Sequence, residues 1–152
     1  MRLTFGKHSE RTVAEIVLKE PDYLLWMLAQ RATTDPLAEA CKEAKRLLRV
    51  FDRKPFLRDC SHEGCANKAT RITVYVQSIL SQFWCDDCDP YSEGANAGKL
   101  QVISTYGQAI EYVNLWCQGR KSDLKGLIRD MARAKGLPER VGAQQATAFF
   151  QP

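Results

Sequence analysis

Between positions 60 and 88 the sequence reads Cys60-Ser61-His62-Glu63-Gly64-Cys65, then nineteen further residues, then Cys85-Asp86-Asp87-Cys88. Each pair of cysteines lies on a short loop, and the residues between the loops are numerous enough for a β-hairpin. Four thiolates brought together in this way form the tetrahedral sulfur site that Zn²⁺ prefers. The pattern therefore predicts a zinc ribbon with Cys60, Cys65, Cys85 and Cys88 as ligands. The Zn²⁺ is expected to be structural, because no coordination position remains for water.

The residues around these cysteines favour β-strands. Arg71-Ile72-Thr73-Val74-Tyr75-Val76-Gln77 is rich in β-branched residues and roughly alternating, and Gln82-Phe83-Trp84 leads directly into Cys85, so we expect a short antiparallel hairpin. Leu100-Gln101-Val102-Ile103-Ser104 is expected to form one more strand. His62 lies within the first loop and is a surface residue more often than a ligand at such a position, so its ligation stays open.

Three carboxylates accompany the second pair of cysteines: Asp86, Asp87 and Asp89. Such a cluster can hold magnesium for phosphodiester cleavage. However, acidic residues around a zinc loop usually face solvent, and no base or nucleophile is identifiable nearby in the sequence. We therefore expect a protein that is not an enzyme, and a metal-dependent nuclease is the third-ranked alternative.

The sequence before the cysteines has helical periodicity. Thr12-Val13-Ala14-Glu15 has the form of a capping box, and Pro21 suits the first turn of a second helix. A third helix is expected from Asp35-Pro36, with apolar residues at intervals of three and four: Leu37, Ala40, Cys41, Ala44, Leu47, Leu48 and Phe51. Because Cys41 belongs to this apolar stripe, it is expected to be a buried thiol without chemistry.

Three stretches near the start occur in a recognisable order: Phe5-Gly6-Lys7-His8, Thr12-Val13-Ala14-Glu15-Ile16 and Glu20-Pro21-Asp22-Tyr23-Leu24-Leu25-Trp26. Together they resemble the small domain at the C-terminus of exodeoxyribonuclease X-like proteins, with the approximate pattern F-G-K-aromatic-x-G, an amphipathic turn and D-P-x-Y-L-x-W. The resemblance covers about the first 50 residues. The second glycine of the pattern is absent, because Ser9-Glu10-Arg11 follows His8. The resemblance implies a module attached to DNA-processing proteins and not an active site.

The side chains of this segment lead to specific expectations. Gly6 is expected to form a turn with positive φ. Phe5, Tyr23 and Trp26 are expected to form a small aromatic core, with an exposed platform for base stacking as the alternative. Beside the glycine turn, two cations are candidate phosphate contacts: Lys7 and Arg11.

The net charge of +4 is unevenly distributed. Residues 1–59 hold twelve Lys/Arg and nine Asp/Glu, residues 60–119 hold three and six, and residues 120–152 hold seven and three. The cysteines thus lie in an acidic segment between two basic ones, and Arg53 and Lys54 belong to a basic linker that precedes them. A polyanion would contact the flanks first, whereas the alternative is an ordinary solvated surface.

The last third of the chain predicts helices. Tyr106, Ala109, Ile110, Val113 and Trp116 or Cys117 follow helical spacing, and Ser122 is expected to cap the last clear helix. On that helix four cations recur every four residues and form what we call the basic ridge: Lys121, Lys125, Arg129 and Arg133. Arg120 and Lys135 are expected at its ends. The ridge fits a nucleic-acid backbone, and its alternative is a solvated helix face. Phe149-Phe150 are expected either to fold back on the core or to dock into a partner.

The sequence as a whole predicts an α+β protein. Of its 152 residues, 45% are hydrophobic and 26% are charged, as in ordinary soluble proteins, and no apolar run approaches the roughly 20 residues of a membrane span. The first eight residues lack the apolar core of a signal peptide, so a cytoplasmic protein is expected. We divide the chain into a helical module at residues 1–55, a zinc ribbon at 56–104 and a basic helical segment at 105–152.

The function predicted from these features is that of a zinc-containing accessory protein that binds nucleic acid, with DNA favoured over RNA. The expected contacts are Lys7, Arg11, Arg53, Lys54 and the basic ridge. The alternative is a protein-interaction adaptor or regulator, of phage or mobile-element origin, whose partner belongs to DNA metabolism. Neither a membrane partner nor a small-molecule substrate is expected.

Overall fold

The structure of this protein is a computed structural model that describes residues 1–30, 36–75, 81–90 and 100–152. The elements follow in three groups along the chain: helices α1 (Val13–Lys19), α2 (Pro21–Ala29) and α3 (Leu37–Arg53), strands β1 (Arg71–Tyr75), β2 (Ser81–Trp84) and β3 (Leu100–Ile103), and helices α4 (Tyr106–Trp116), α5 (Lys121–Ala134) and α6 (Ala143–Phe150). The predicted α+β class is confirmed. None of the described helices has the length and apolarity that crossing a bilayer requires.

A closed loop from Leu3 to Arg11 precedes α1. The Leu3 N–H donates to the Arg11 carbonyl, and the Glu10 N–H donates to the Leu3 carbonyl, both at 2.8 Å. Gly6 has the expected positive φ, 73°, and Glu10 has a φ of 74°. Position 10 is where the pattern F-G-K-aromatic-x-G has its second glycine. The loop therefore closes without a glycine at position 10, at a conformational cost of about 1 kcal/mol.

Helix α1 begins with the predicted capping box and lies at the centre of the helices. The Glu15 N–H donates to Thr12 Oγ1 and the Thr12 N–H donates to Glu15 Oε1, both at 3.1 Å, which satisfies two donors at the helix start. Val13, Ile16 and Val17 are fully buried. Helices α2, α3, α5 and α6 all contact α1, so its apolar residues form the middle of the core.

The aromatic core expected in this segment is only partly present. Tyr23 is buried and Phe5 is half-buried, but Trp26 is 48% exposed. On α2 the inward arc consists of Tyr23, Leu24 and Met27, and Trp26 lies about 100° around the helix from the centre of that arc. The expectation was therefore wrong for Trp26, although its ring still contacts that of Tyr23 at a centroid distance of 5.3 Å.

Helix α3 carries the apolar stripe that the sequence predicts. It begins at Leu37 with Pro36 at the N-cap, and Asp35, where we expected it to begin, lies outside the described residues. Cys41 is buried as predicted, and its thiol donates to the Met27 carbonyl at 3.3 Å. The side chains of the stripe that are buried are Ala40, Cys41, Ala44, Leu47 and Phe51.

The three strands form one antiparallel sheet in the order β2-β1-β3. Ile72 pairs with Phe83 on one side and with Ile103 on the other, and these three residues pack towards the helices. The opposite face of the sheet carries Thr73 and Trp84, whose indole N–H donates to the Thr73 hydroxyl at 2.9 Å. Positions 76 and 77 of the expected first strand lie outside the described residues.

The C-terminal helices differ from expectation at two points. Arg120, and not Ser122, is the N-cap of α5, because its backbone is extended whereas Ser122 already lies within the helix. Helix α6 was not expected at all. It buries Phe149 and Phe150, and the Phe149 ring lies 6.2 Å from that of Phe51. The two rings therefore fold back on the core, which is the first of the two alternatives. Cys117, expected in the core, is half-buried at its edge.

Two apolar clusters result from this arrangement. The larger one joins all six helices to one face of the sheet, and we call this part the helical body. The smaller one consists of Cys60, Trp84 and Cys85, with Cys65 and Cys88 packed against it. We call residues 58–70 and 84–88, which surround it, the cysteine region. The sheet thus lies between the helical body and the cysteine region.

Candidate metal centre and basic groove

The four predicted cysteines come together in the structure. The sulfurs of Cys60, Cys65, Cys85 and Cys88 all lie within 4.8 Å of one another, and the Cys65 and Cys85 sulfurs are 3.8 Å apart. A tetrahedron of thiolates with Zn–S bonds of about 2.3 Å has sulfur–sulfur edges of about 3.8 Å. The sulfurs are too far apart for a disulfide, and all four are free thiols. The cluster therefore fits a zinc ribbon.

Backbone geometry positions the first pair. Gly64 has a φ of 81°, and the Cys65 N–H donates to the His62 carbonyl at 3.0 Å, which turns the chain sharply. The Cys60 N–H donates to the Asn67 carbonyl at 2.9 Å. These bonds order the loop, and the sulfurs of Cys60 and Cys65 both lie close to those of the second pair. Within the described part of the chain, the group of residues able to hold a metal consists of the four cysteines and does not include His62.

Hydrogen bonds to sulfur favour the thiolate form of Cys85, whereas the pKa values of Cys65 and Cys88 are raised. The backbone N–H groups of Asn67 and Asp87 donate to the sulfurs of Cys65 and Cys85, respectively, and the Asn67 side chain donates to the Cys85 sulfur at 3.7 Å. Burial raises the pKa of Cys85, but these hydrogen bonds outweigh it and lower the pKa to about 6. Burial and the neighbouring thiols raise the pKa of Cys88. A bound dication would stabilise the negative charge on all four sulfurs and so offset the repulsion between adjacent thiolates.

Arg71 attaches the second pair of cysteines to the sheet. Its guanidinium donates to the carbonyls of Cys88 at 2.6 Å and Cys85 at 3.3 Å. Because Arg71 is the first residue of β1, these bonds fix the loop that follows β2 against the neighbouring strand. The Ser61 N–H donates to the Phe83 carbonyl at 2.6 Å and joins the first loop to β2. The sheet therefore holds both cysteine loops.

The acidic residues beside the cysteines have structural partners. Asp86 accepts a hydrogen bond from the Thr70 hydroxyl at 2.6 Å, and Asp87 accepts one from the Asn67 side chain at 3.4 Å. Both bonds connect the second cysteine loop to the residues that follow the first. A role for Asp86, Asp87 or Asp89 in magnesium-dependent cleavage stays the third-ranked alternative.

The basic ridge occupies the outer side of α5. Lys121, Lys125 and Arg129 are exposed and Arg133 is half-buried. Lys135 does not extend the ridge, contrary to expectation. It is buried, its ammonium donates to the Phe51 carbonyl at 2.6 Å, and it lies over the Phe51 and Phe56 rings. Burial lowers the pKa of Lys135 to about 8.

Three ridge residues line a groove of about 430 Å³ between α5, the end of α1 and residues 137–141. We call the apolar part of its lining the floor and the cationic part the rim. Its charged lining contains five cations and one carboxylate: Lys19, Lys125, Arg129, Arg133, Arg140 and Glu139. Lys19 donates to the Val141 carbonyl at 2.9 Å and so fixes the wall opposite α5. Among the charged groups of the described chain, this arrangement offers a concave and strongly cationic surface.

The ridge cations differ in how far their charge is already neutralised. Lys125 lies 3.7 Å from Glu20, and the Arg129 guanidinium lies 4.0 Å from Asp130. The Arg133 side chain makes no hydrogen bond or ion pair with any residue that the structure describes, although its backbone carbonyl accepts from the Gly136 N–H at 3.0 Å. A half-buried guanidinium that has no ion-pair partner is well suited to an external anion.

The other predicted contacts are distributed over the surface. Arg11 lies 3.3 Å from the Glu20 oxygen that also contacts Lys125, so Arg11 belongs to the same face as the ridge. Lys54 lies over the Phe149 ring at 4.7 Å, and Lys7 and Arg53 are exposed. None of these four residues lines the groove.

Sequence reasoning missed two cations of the groove, Lys19 and Arg140. They lie 121 positions apart and neither belongs to a basic run, so only the tertiary fold brings them together, with Lys19 bonded to the carbonyl of Val141, the residue after Arg140. For Arg140 the charge excess of the last segment was a weak signal. For Lys19 the sequence contains no signal beyond its place at the end of α1.

Comparison with known proteins bears on the start of the chain. Searches of curated proteins and of solved structures found no match. A scan of protein families matched a segment of the chain that is shorter than the 50 or so residues of the predicted resemblance. It confirms the predicted resemblance for its own length: residues 3–32 match the family described as Exodeoxyribonuclease X-like C-terminal.

Proposed function

We propose that this protein is a non-enzymatic accessory factor that binds nucleic acid through the basic ridge and is stabilised by a structural Zn²⁺. The observation that carries the proposal is the groove beside α5, where five cations face one carboxylate and Arg133 has no anionic partner among the described residues. Lys and Arg contacts to phosphates supply most of the affinity of proteins for nucleic acids. Arg11 lies on the same face and extends the contact surface.

The chemistry of the ligands supports zinc as the metal. Four thiolates form a soft donor set that selects zinc or an iron–sulfur centre over magnesium and calcium. The short edge of 3.8 Å between the Cys65 and Cys85 sulfurs is the length expected around a single Zn²⁺. Because four protein ligands complete the tetrahedron, the metal has no position for water and its role is structural.

DNA is the favoured partner. The description of the family that residues 3–32 match refers to a deoxyribonuclease, and a module of this kind is suited to a protein that acts together with DNA-processing enzymes. The ridge itself contacts phosphates and does not distinguish the two sugars. The preference for DNA over RNA is therefore part of the proposal that binding measurements must test.

Equilibrium binding to labelled DNA and RNA over a salt series tests the proposal. The variant Lys125→Gln, Arg129→Gln, Arg133→Gln is expected to lose at least tenfold in affinity. Its plot of log K against log salt is expected to flatten by about 2.7 units, because each lost phosphate contact removes about 0.9 unit on duplex DNA.

The matched control removes the same charge from another helix. The variant Lys42→Gln, Lys45→Gln, Arg49→Gln also loses three exposed cations, but on α3, and is expected to bind like the unmodified protein. Equal losses in the two variants would attribute binding to net charge alone and contradict a ridge site. Absence of binding at low salt would refute the function.

A protein-interaction adaptor is the second candidate, and one observation favours it. Leu115 and Trp116 at the end of α4 are 69% and 42% exposed, and they line a shallow depression with Val102 of β3. Adjacent exposed apolar residues often mark a protein contact. Phe149-Phe150, which we expected to be able to serve this purpose, are buried in the helical body. Loss of a copurifying partner on Leu115→Glu, with unchanged DNA binding, would favour the adaptor.

A further inference from the structure

We propose that the groove beside α5 receives an unpaired nucleotide of a single-stranded nucleic acid, with the base on the apolar floor and phosphates on the cationic rim. The inference rests on the proposed function and adds to it the form of the nucleic acid. It depends on three properties of the groove: its volume, its apolar floor and the arrangement of its cations.

The floor is the apolar part of the lining of the groove. It is formed by four residues from α1 and the segment after α5: Leu18, Leu137, Pro138 and Val141. A duplex would leave this floor unused, because its bases are paired and stacked and its backbone presents charged and polar groups. A single strand exposes the flat apolar faces of its bases. The groove, at about 430 Å³, lies within the size range of small-ligand sites.

The cations of the rim suit a nucleotide. Three of the five are arginines, namely Arg129, Arg133 and Arg140. A planar guanidinium binds phosphate with two hydrogen bonds and also stacks on a base, which an ammonium does not. Arg133 is half-buried and its side chain has no partner in the described structure, so it can bind an anion without breaking an internal ion pair.

The length of the ridge favours a strand over an acidic peptide. Cations four residues apart on a helix are separated by about 6 Å along its axis, comparable to the spacing of successive phosphates in an extended strand. Lys121, one turn before Lys125, continues the row beyond the groove. A polymer with one charge per unit fits such a row over its whole length, whereas an acidic side chain in a peptide would occupy only the rim.

Three oligonucleotides of equal length distinguish the possibilities with the unmodified protein: a single strand, its duplex, and a single strand whose central nucleotides lack their bases. At one fixed salt concentration the intact single strand is expected to bind about tenfold more tightly than either of the others, because stacking contributes about 1.4 kcal/mol or more per base. The abasic strand retains every phosphate and therefore isolates the contribution of the base.

A substitution in the floor of the groove tests the same contact with the base by changing the protein instead of the oligonucleotide. Val141→Gln changes a half-buried side chain and leaves the backbone carbonyl that accepts from Lys19 in place. It is expected to reduce the affinity for the intact single strand to that for the abasic strand. Val102→Gln, a half-buried valine on β3 outside the groove, is the control and is expected to keep the preference.

The outcomes separate the two proposals. Equal affinity for all three oligonucleotides, with binding still reduced by Arg133→Gln, would overturn the nucleotide site and leave the proposed function intact. Absence of binding to all of them would overturn both. Displacement of the strand by a glutamate-rich peptide at equal charge concentration would also overturn the nucleotide site, because it would assign the groove to acidic peptides.

Discussion

The helical body and the cysteine region lie on opposite faces of the same small sheet, but their apolar content is very different. The body buries aliphatic and aromatic side chains from six helices. The cysteine region has a cluster of only Cys60, Trp84 and Cys85, and its one other buried apolar side chain, Ala69, packs into the cluster of the body. Apolar burial stabilises a fold roughly in proportion to the area removed from water, so the first region has a source of stability that the second lacks.

The comparison shows how the two regions depend on the metal. A segment with so small a core needs a bound metal to order it, as in other metal-nucleated modules. The helical body has no such need, because Phe51, Tyr106 and Phe149 pack in its interior. The two regions should therefore respond differently to the same perturbation, and the following predictions use that difference.

Removal of the metal is expected to have the largest effect and to be confined to one side of the sheet. Binding of structural zinc contributes about 10–16 kcal/mol in small metal-dependent modules. The variant Cys85→Ser, Cys88→Ser is expected to lose the single zinc ion, and the backbone amides of Ser61 and Thr70 should lose their protection from hydrogen exchange. Amides within α1 and α3 should remain protected.

A second pair of cysteines supplies the control for this prediction. The variant Cys41→Ser, Cys117→Ser removes two thiols that lie outside the metal group, and it is expected to retain one zinc per chain by elemental analysis. Global unfolding of the metal-free protein, with loss of protection in α1 and α3, would contradict the independence of the helical body.

Alanine substitutions at two glycines with similar backbone angles are expected to have the next largest effect, and to act on different regions. Gly6 and Gly64 have φ values of 73° and 81°. A Cβ at Gly6 would overlap the Tyr23 hydroxyl, whereas one at Gly64 would meet no atom within 4 Å. Gly6→Ala is expected to lower the free energy of unfolding by about 3 kcal/mol, as backbone strain and displacement of Tyr23 add.

Gly64→Ala carries the backbone strain alone, about 1 kcal/mol. It is expected to weaken zinc affinity about fivefold and to leave the urea unfolding of the helical body unchanged. Chelator competition measures the first quantity and far-ultraviolet circular dichroism the second. If Gly64→Ala destabilised the body as much as Gly6→Ala, the two regions would unfold as one unit.

The smallest expected effect is a gain in stability at the loop before α1. Glu10 has a φ of 74°, which is strained for a residue with a Cβ. Glu10→Gly is expected to raise the free energy of unfolding by about 0.5–1 kcal/mol, the relief of strain exceeding the added freedom of the unfolded chain. Glu10→Ala removes the same carboxylate but keeps the Cβ, so it should give no gain in thermal or urea unfolding.

Local signals in the sequence predicted much of the fold. The capping box at Thr12, the stripe of α3 and the cysteine spacing each act over a few residues, and all three are confirmed. The short helix α6 was missed because its N-cap, Gly142, has no side chain to mark a helix start and Ala143–Phe150 contains no charged residue. The burial of its two phenylalanines depends on contacts with distant residues such as Phe51.

The candidate site divides in the same way. The four cysteines were predictable because metal coordination requires few residue types at short spacings. The ridge was also predictable, since one helix contains it. The groove was not, because its opposite wall comes from Lys19 and residues 137–141, and the contacts of α1 with α5 that assemble it are encoded by side chains throughout the core.

Glu20 gives the ridge an internal competitor. Its carboxylate oxygen lies 3.3 Å from Arg11 and 3.7 Å from Lys125, and in the proposed complex a phosphate would replace it beside either cation. Binding there is an exchange of one anion for another, with a small net gain. At Arg133, whose side chain has no partner among the described residues, a phosphate displaces no carboxylate and the full binding free energy is obtained. A phosphate therefore binds beside Arg11 or Lys125 only if it interacts with these cations more favourably than the Glu20 carboxylate does.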